Sequence, residues 1–457
     1  MHGWVPVVAQ LIAAVVLGCA IGRRASTWWV RRVPVAVAGG VVLAAAVHWY
    51  VGSAGITGEP APWSMWVWVA LSGVAVGIAA LGWVGAPPWR RAMSLLAVPL
   101  CALACALVLD GWVGYFPTVH AAWSQLTSGP LPDQTDPAEV KALQSKGTRP
   151  AKGAVVPVTI SAAASNFKHR GELVYLPPAW FASNPPPRLP VLMMIGAEFN
   201  TPADWLRAGD AVATMDDFAA THDGNAPVLV FADSGGGFGN DTECVNGPRG
   251  NAADHLTKDV VPFMIANYGV SAERENWGVA GFSSGGTCAL DLAVMHPELF
   301  SVFEDIAGDR GPNSGDRKQT IARLFGGSQE LAAAFDPATV MTRYGNYIGE
   351  SGWFAIPGTP GIDGVTRDAV GNPEGQDIVA GSLCATATDN GITCAVEAQP
   401  GLHDWSFAAK AFTAALPWLA GQLGTPGAPR LALPRPAAAS PLVNGSAPTL
   451  AEAARGK

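Results

Sequence analysis

Four apolar runs, Trp4 to Ile21, Val33 to Val51, Trp63 to Val84 and Ala92 to Val113, crowd into the first quarter of this 457-residue chain. Each is close to the ~20 residues needed to cross a hydrocarbon core of roughly 30 Å. A backbone in that medium must satisfy its own polar groups, so each run is predicted to be a helix. The first run lacks the charged leading segment of a signal peptide, and three more spans follow it at once. Only 14% of the residues are charged, against about 25% in ordinary soluble domains. The deficit sits mainly at the start: every Lys lies beyond position 140, and the first 116 residues carry only Arg23, Arg24, Arg31, Arg32, Arg90 and Arg91.

Those arginines set an expected orientation. Four lie between the first two spans and two between the last two, while the middle loop from Gly52 to Pro62 carries Glu59 and no basic residue. Basic loops face the cytoplasm, which places both chain ends, and everything after the fourth span, on the opposite side. Trp4, Trp28, Trp29, Trp63 and Trp112 fall near the span boundaries, as an interfacial belt requires. Cysteine usage agrees: Cys19, Cys101 and Cys105 lie inside spans, and Cys244, Cys288, Cys384 and Cys394 lie beyond them, where oxidising conditions permit disulfides. Four cysteines allow three pairings; the expectation is Cys384–Cys394 with Cys244–Cys288, against four buried thiols. A net charge of −8 with no basic patch excludes a nucleic-acid partner.

The chain divides into a four-span membrane anchor (1–116), a polar linker (117–153) with a short helix from Pro137 to Gln144, a catalytic domain (154–423), and an Ala/Pro-rich tail (424–457) expected to be disordered. Within the domain, short β-rich runs alternate with helical patterns. Strands are expected at Val155 to Ser161, Gly171 to Tyr175, Leu189 to Ile195, Val228 to Ala232, Trp277 to Gly281, Ser301 to Ile306, Trp353 to Ile356 and Cys394 to Ala398. Helices are expected at Ala252 to Tyr268, Ser284 to His296 and Trp405 to Leu423. Near-continuous apolar strands separated by helices indicate an α/β fold, a doubly wound and mostly parallel sheet. A helical excursion from Arg317 to Tyr347 is the expected cap.

Gly281-Phe282-Ser283-Ser284-Gly285 is a G-x-S-x-G pentapeptide between a strand-like run and an apolar helix, the context in which a sharp turn exposes a nucleophilic serine. The hydroxyl needs a base, and the base a carboxylate, in the chain order Ser, acid, His. After Ser283 only His296 and His403 remain; His296 ends the nucleophile's own helix, so His403 is the expected base. The acid should follow the strand ending at Ile356, which nominates Asp363, with Asp368, Glu374 and Asp377 as competitors. Backbone N–H groups of Ser284 and of Ala197, after the strand ending at Ile195, are the expected oxyanion donors. Gly235 to Gly239 lacks the Lys of a phosphate-cradling loop, and Asp233, Asp241 and Glu243 match no Ca²⁺-loop spacing. No cofactor and no metal is therefore expected.

The segment from about Val155 to Leu423 resembles the esterase-D-like branch of α/β-hydrolases, which includes actinobacterial esterases and secreted mycolyltransferases. The resemblance rests on Met194-Ile195-Gly196-Ala197, Asp233-Ser234-Gly235-Gly236-Gly237, Asp241-Thr242-Glu243-Cys244, Gly281 to Gly286 and Leu402-His403-Asp404-Trp405. It implies an acyl-enzyme on Ser283 and substrate contacts from Glu198 and Trp405. Mycolyltransferases carry an Asp and an Arg for the sugar acceptor where Ile195 and Glu198 stand here, which favours hydrolysis over transfer. The expected activity is a serine carboxylic-ester hydrolase acting on lipid or cell-envelope esters at the outer membrane face. Its alternatives are an acyltransferase to an envelope acceptor and a non-catalytic membrane scaffold. Oligomeric state is not legible in the sequence.

Overall fold

The computed structural model describes residues 3–22, 26–54, 61–113, 115–116, 118–119, 122–123, 131, 134–237, 239–358 and 375–434. Four long helices come first: α1 (Trp4–Ile21), α2 (Val33–Ala54), α3 (Trp63–Gly82) and α4 (Pro88–Val113). All four are long and apolar enough to cross a membrane, and 28% or less of each most apolar stretch is buried within the protein. Apolar side chains left facing outward suit lipid rather than water. Where the helices meet, small residues let backbones approach: a Cβ on Gly40 would sit 2.4 Å from the Ala70 carbonyl, and one on Gly77 2.9 Å from the Ala36 Cβ. At the loop end of this bundle Arg32 donates to the Leu81 carbonyl and Arg91 to that of Trp83. At the other end Arg323, from the domain, donates to the carbonyls of Gly52 and Ser53 near the end of α2 (3.0 and 2.9 Å). The described arginines of the connecting loops and the domain thus lie at opposite ends of the bundle.

A short helix, α5 (Pro137–Lys146), is N-capped by Asp136 and closed by Gly147 in the left-handed region. It leads into an eight-stranded sheet: β1 (Ala154–Val158), β2 (Glu172–Leu176), β3 (Val191–Ile195), β4 (Val228–Ala232), β5 (Trp277–Phe282), β6 (Val302–Ile306), β7 (Ser351–Pro357) and β8 (Thr393–Gln399). Their spatial order is β1-β2-β4-β3-β5-β6-β7-β8. β2 runs antiparallel to both of its neighbours, and every other pairing is parallel. Strand alternation divides the core in two. Val191, Met193 and Ile195 of β3 face one layer while Leu192 and Met194 face the other, and β5 splits likewise between Val279 and Phe282. On one side pack α7 (Val261–Tyr268), which continues a π-helical turn (His255–Val260), α8 (Ser284–Met295) and α12 (Gln376–Asp389); on the other pack α6 (Ala211–Thr221) and α13 (Trp405–Gln422). The excursion between β6 and β7 forms α9 (Arg317–Phe325), α10 (Gln329–Ala334) and α11 (Pro337–Tyr344).

The expected strands all form, with ends shifted by up to three residues. Both expected disulfides form, Cys244–Cys288 and Cys384–Cys394, with Cα atoms 5.6 and 5.8 Å apart. Two boundaries differ from the sequence reading. Residues 425–434 do not leave the domain at Gly424. Ala428 and Leu433 pack on the α13 layer, and Gln422 donates to the Leu431 carbonyl. The end of the anchor and parts of the linker also dock: Tyr115 and Leu131 join the same layer, and Thr135 donates to the Val155 carbonyl (2.7 Å). Polar composition hid these contacts because few apolar side chains make them.

Candidate active site

Ser283 sits between β5 and α8 with φ 59° and ψ −123°, a conformation that L-residues avoid at a cost of order 1–3 kcal/mol. The surroundings hold it there. Its N–H donates to the Ile306 carbonyl of β6 (2.8 Å), and its carbonyl accepts from Gly286 (2.8 Å) and Thr287 (3.1 Å), opening the helix. The flanking glycines are forced by space: a Cβ on Gly281 would lie 1.9 Å from the Gly285 carbonyl oxygen, and one on Gly285 2.5 Å from that of Ile195. The second approach presses the start of α8 against the end of β3. Ser284 therefore borders the same cleft as Ala197 and Glu198, whose other walls include Arg170, Asp241 and Glu243. Phe199, in the same loop, also has positive φ (64°).

His403 lies on the loop after β8, its ring 5.1 Å from that of Phe282, the residue before the serine. Its Nδ1 is 3.0 Å from Gln376 Nε2, which also donates to the Ala307 carbonyl (2.9 Å). Gln376, the first residue of α12, escaped the sequence reading because that reading sought a carboxylate. Asp363, the nominated acid, and its competitors Asp368 and Glu374 lie outside the described residues. Asp377 is in the first turn of α12. Trp405 requires a correction. It is 1% exposed, its ring packed edge-on against Trp205 (5.2 Å) and Phe282 (5.3 Å), so it supports the His403 loop from the core and does not face substrate. Asp404 fixes the same loop by capping α13 through the Phe407 N–H.

Charge in the cleft is organised in pairs. Arg170 grips Asp233 through Nη2 (2.6 Å) and Nε (3.1 Å) and donates to the Asn200 carbonyl, so Asp233 is committed to an ion pair. Asp241 meets Arg249 at 3.4 Å. Burial raises the carboxyl of Asp241, and burial with the nearby Asp241 raises that of Glu243 well above the usual range. The Cys244–Cys288 disulfide ties this wall to α8. Beneath the turn, burial pushes Asp305 up to about 7 even though Gly308 donates to its Oδ1 (2.8 Å).

Comparison with known proteins agrees with this arrangement. Residues 168–308, from just before β2 to just after β6, match the family model described as "Putative esterase". Over 195 residues the chain is 33% identical to an uncharacterized protein of Corynebacterium glutamicum, covering 42% of this chain and 46% of that one. The chain thus spans about half the length of the curated relative it matches. Among solved structures it is similar to a ferulic acid esterase (17% identity, TM-score 0.45, 59% of this chain and 99% of that one). It is similar to an S-formylglutathione hydrolase from Agrobacterium tumefaciens (16%, 0.46, 60% and 97%). It is also similar to MPT51 of Mycobacterium tuberculosis (17%, 0.40, 58% and 99%). The strained serine turn lies inside the segment that matches the esterase model, on a doubly wound, mostly parallel α/β sheet.

Proposed function

We propose that this chain is a serine esterase of the α/β-hydrolase superfamily that hydrolyses lipid or cell-envelope esters at the outer face of the membrane through an acyl-enzyme on Ser283. The observation that carries the reading is a strained nucleophile turn in a domain that meets four lipid-compatible helices at the end away from their arginine loops. In the proposed cycle His403 takes the Ser283 proton as Oγ attacks the ester carbonyl, then returns it to the departing alcohol. The oxyanion is met by the N–H groups of Ser284 and Ala197. A base role requires His403 to carry its hydrogen on Nδ1, so the Gln376 amide must turn its oxygen there or give way, and Asp363 remains the nominee to receive that hydrogen. Holding the domain at the bilayer raises the effective concentration of an embedded substrate. Two disulfides support an oxidising, extracytoplasmic setting.

The test is fluorophosphonate labelling of the full-length protein with Ser283→Ala and His403→Ala, beside turnover of p-nitrophenyl esters and of lipid esters in vesicles. Loss of labelling in both variants, with turnover of vesicle esters by the parent, is the expected result. Labelling that survives Ser283→Ala refutes the nucleophile, and turnover confined to water-soluble esters refutes the lipid assignment.

Transfer to an acceptor is the second reading, favoured by the polar cleft wall. Glu198, Asn200, Asn240 and Thr242 offer hydrogen-bond partners suited to a hydroxylated acceptor. The ratio of transfer to hydrolysis product, measured with and without a sugar acceptor, separates the two.

A further inference from the structure

Behind the Arg170–Asp233 pair, two imidazoles and a carboxylate turn electron-pair donors toward one space. His255 Nε2 lies 2.9 Å from Glu172 Oε1. His169 Nδ1 lies 2.9 Å from the Arg170 carbonyl oxygen and 3.5 Å from Glu172 Oε2. The ligand atoms of His169, Glu172 and His255 fall within 4.8 Å of one another. The side chains of Glu172 and His255 are fully buried and that of His169 is 13% exposed.

The outer nitrogen of each ring has an acceptor of its own. His169 Nε2 is 2.9 Å from the Ile160 carbonyl and Nδ1 2.9 Å from that of Arg170, so a neutral ring leaves one nitrogen facing a carbonyl without a hydrogen. His255 Nδ1 is 3.3 Å from Asp259 Oδ2, and Asp259 is held by the N–H groups of Ala164 and Ser165. With the hydrogen on its outer nitrogen, each neutral ring turns a lone pair inward, toward the Arg170 carbonyl or the Glu172 carboxylate. Glu172 Oε2 is buried and accepts no hydrogen bond. A cation placed among these three groups faces all of them. Protonating both rings would supply that charge poorly. The rings stack at 4.3 Å and 20°, which would set two cations face to face.

We propose that His169 Nδ1, His255 Nε2 and the Glu172 carboxylate bind a divalent transition-metal ion, for which two imidazoles and a carboxylate are the donor set of Zn²⁺. Ile160 O and Asp259 are the outer partners that orient the two rings. A divalent ion also balances the charges of Glu172 and Asp259. Because Arg170 follows His169 directly and borders the cleft, the ion fixes the segment that positions the Arg170–Asp233 pair. The expectation of no metal rested on Asp233, Asp241 and Glu243 alone; His169 and His255, 86 positions apart, form no spacing that would bring them into view.

The experiment uses the full-length protein purified without a polyhistidine tag, stripped with chelator and reloaded with Zn²⁺. Metal content is read by mass spectrometry and thermal stability with and without Zn²⁺. The expected result is about one equivalent of Zn²⁺ bound, a melting temperature raised by Zn²⁺, and loss of both in His169→Gln and His255→Gln. Two results overturn the proposal. One is a parent protein that retains no Zn²⁺ and whose melting is indifferent to Zn²⁺ and chelator, which would mean protonated imidazoles fill the site. The other is Zn²⁺ binding that persists in both variants. Should either variant fail to fold, the parent's response to chelator decides alone.

Discussion

Asp305 gives the most exacting test of the structure because its environment penalises charge. The carboxyl sits at the end of β6, 3% exposed, and its Oδ1 would lie 2.5 Å from a Cβ on Gly286 and 2.3 Å from one on Gly308. Burial pushes its pKa from 3.8 to about 7. Between those values the folded protein holds a proton that the unfolded chain has released, so stability falls as pH rises across that window. At roughly 1.4 kcal/mol per pH unit the full fall is about 4 kcal/mol, an upper figure because the site can relax around the charge. Asp305→Asn keeps the oxygen that accepts from Gly308 and removes the ionisation. Any packing penalty of the amide is independent of pH, so the readout is the difference in slope. Thermal or denaturant unfolding of the full-length protein in detergent, run from pH 4.5 to 8.5, should show the variant gaining on the parent as pH rises. For a domain of this size, ~4 kcal/mol moves the midpoint by on the order of 10 °C. A constant offset between the two proteins across the whole pH range would refute the reasoning.

Further tests follow from the same geometry. Gly281→Ala sets a Cβ 1.9 Å from the Gly285 carbonyl, so fluorophosphonate labelling should fall by at least 100-fold while far-UV circular dichroism keeps its helical signal. Reducing Cys244–Cys288, which closes 44 residues, should cost about 4 kcal/mol in the chain-entropy account against about 3 for the 10-residue Cys384–Cys394, read as midpoints of Cys288→Ser and Cys394→Ser. Gln376→Ala removes the amide at His403 Nδ1 and should change kcat by about tenfold with KM nearly constant, the signature of a group that positions the base. An equal change in KM would place Gln376 among substrate contacts instead.

Much of this fold was legible because two periodicities dominate it. Runs near 20 apolar residues admit few solutions, and β3, β4 and β5 are apolar on both faces, as parallel strands covered by helices must be. The serine turn was legible because crowding at Gly281 and Gly285 leaves no alternative residue. Trp405 was misread as a substrate contact because proximity in sequence to His403 says nothing about which way a ring faces; Trp205 and Phe282 decide that, and they come from distant segments. Gln376 and the His169–Glu172–His255 cluster were invisible for the same reason. Their partners meet only through the sheet order, which brings β2, β4 and the turn before α7 together.

The contacts of Arg323 have a mechanical consequence. A body joined to its support at one point keeps three rotational freedoms; joined at two, it keeps one. Here the first joint is the continuation of α4 into Tyr115, whose hydroxyl bonds to the Asp204 carboxylate, and the second is Arg323 on the Gly52 and Ser53 carbonyls. Among the described residues these two joints define a line, about which rocking would strain neither. The second joint is on α9, whose Leu324 and Phe325 pack with Val245, next to Cys244 of the cleft wall. Rocking about that line would load the wall of the cleft, with Arg323 as its latch.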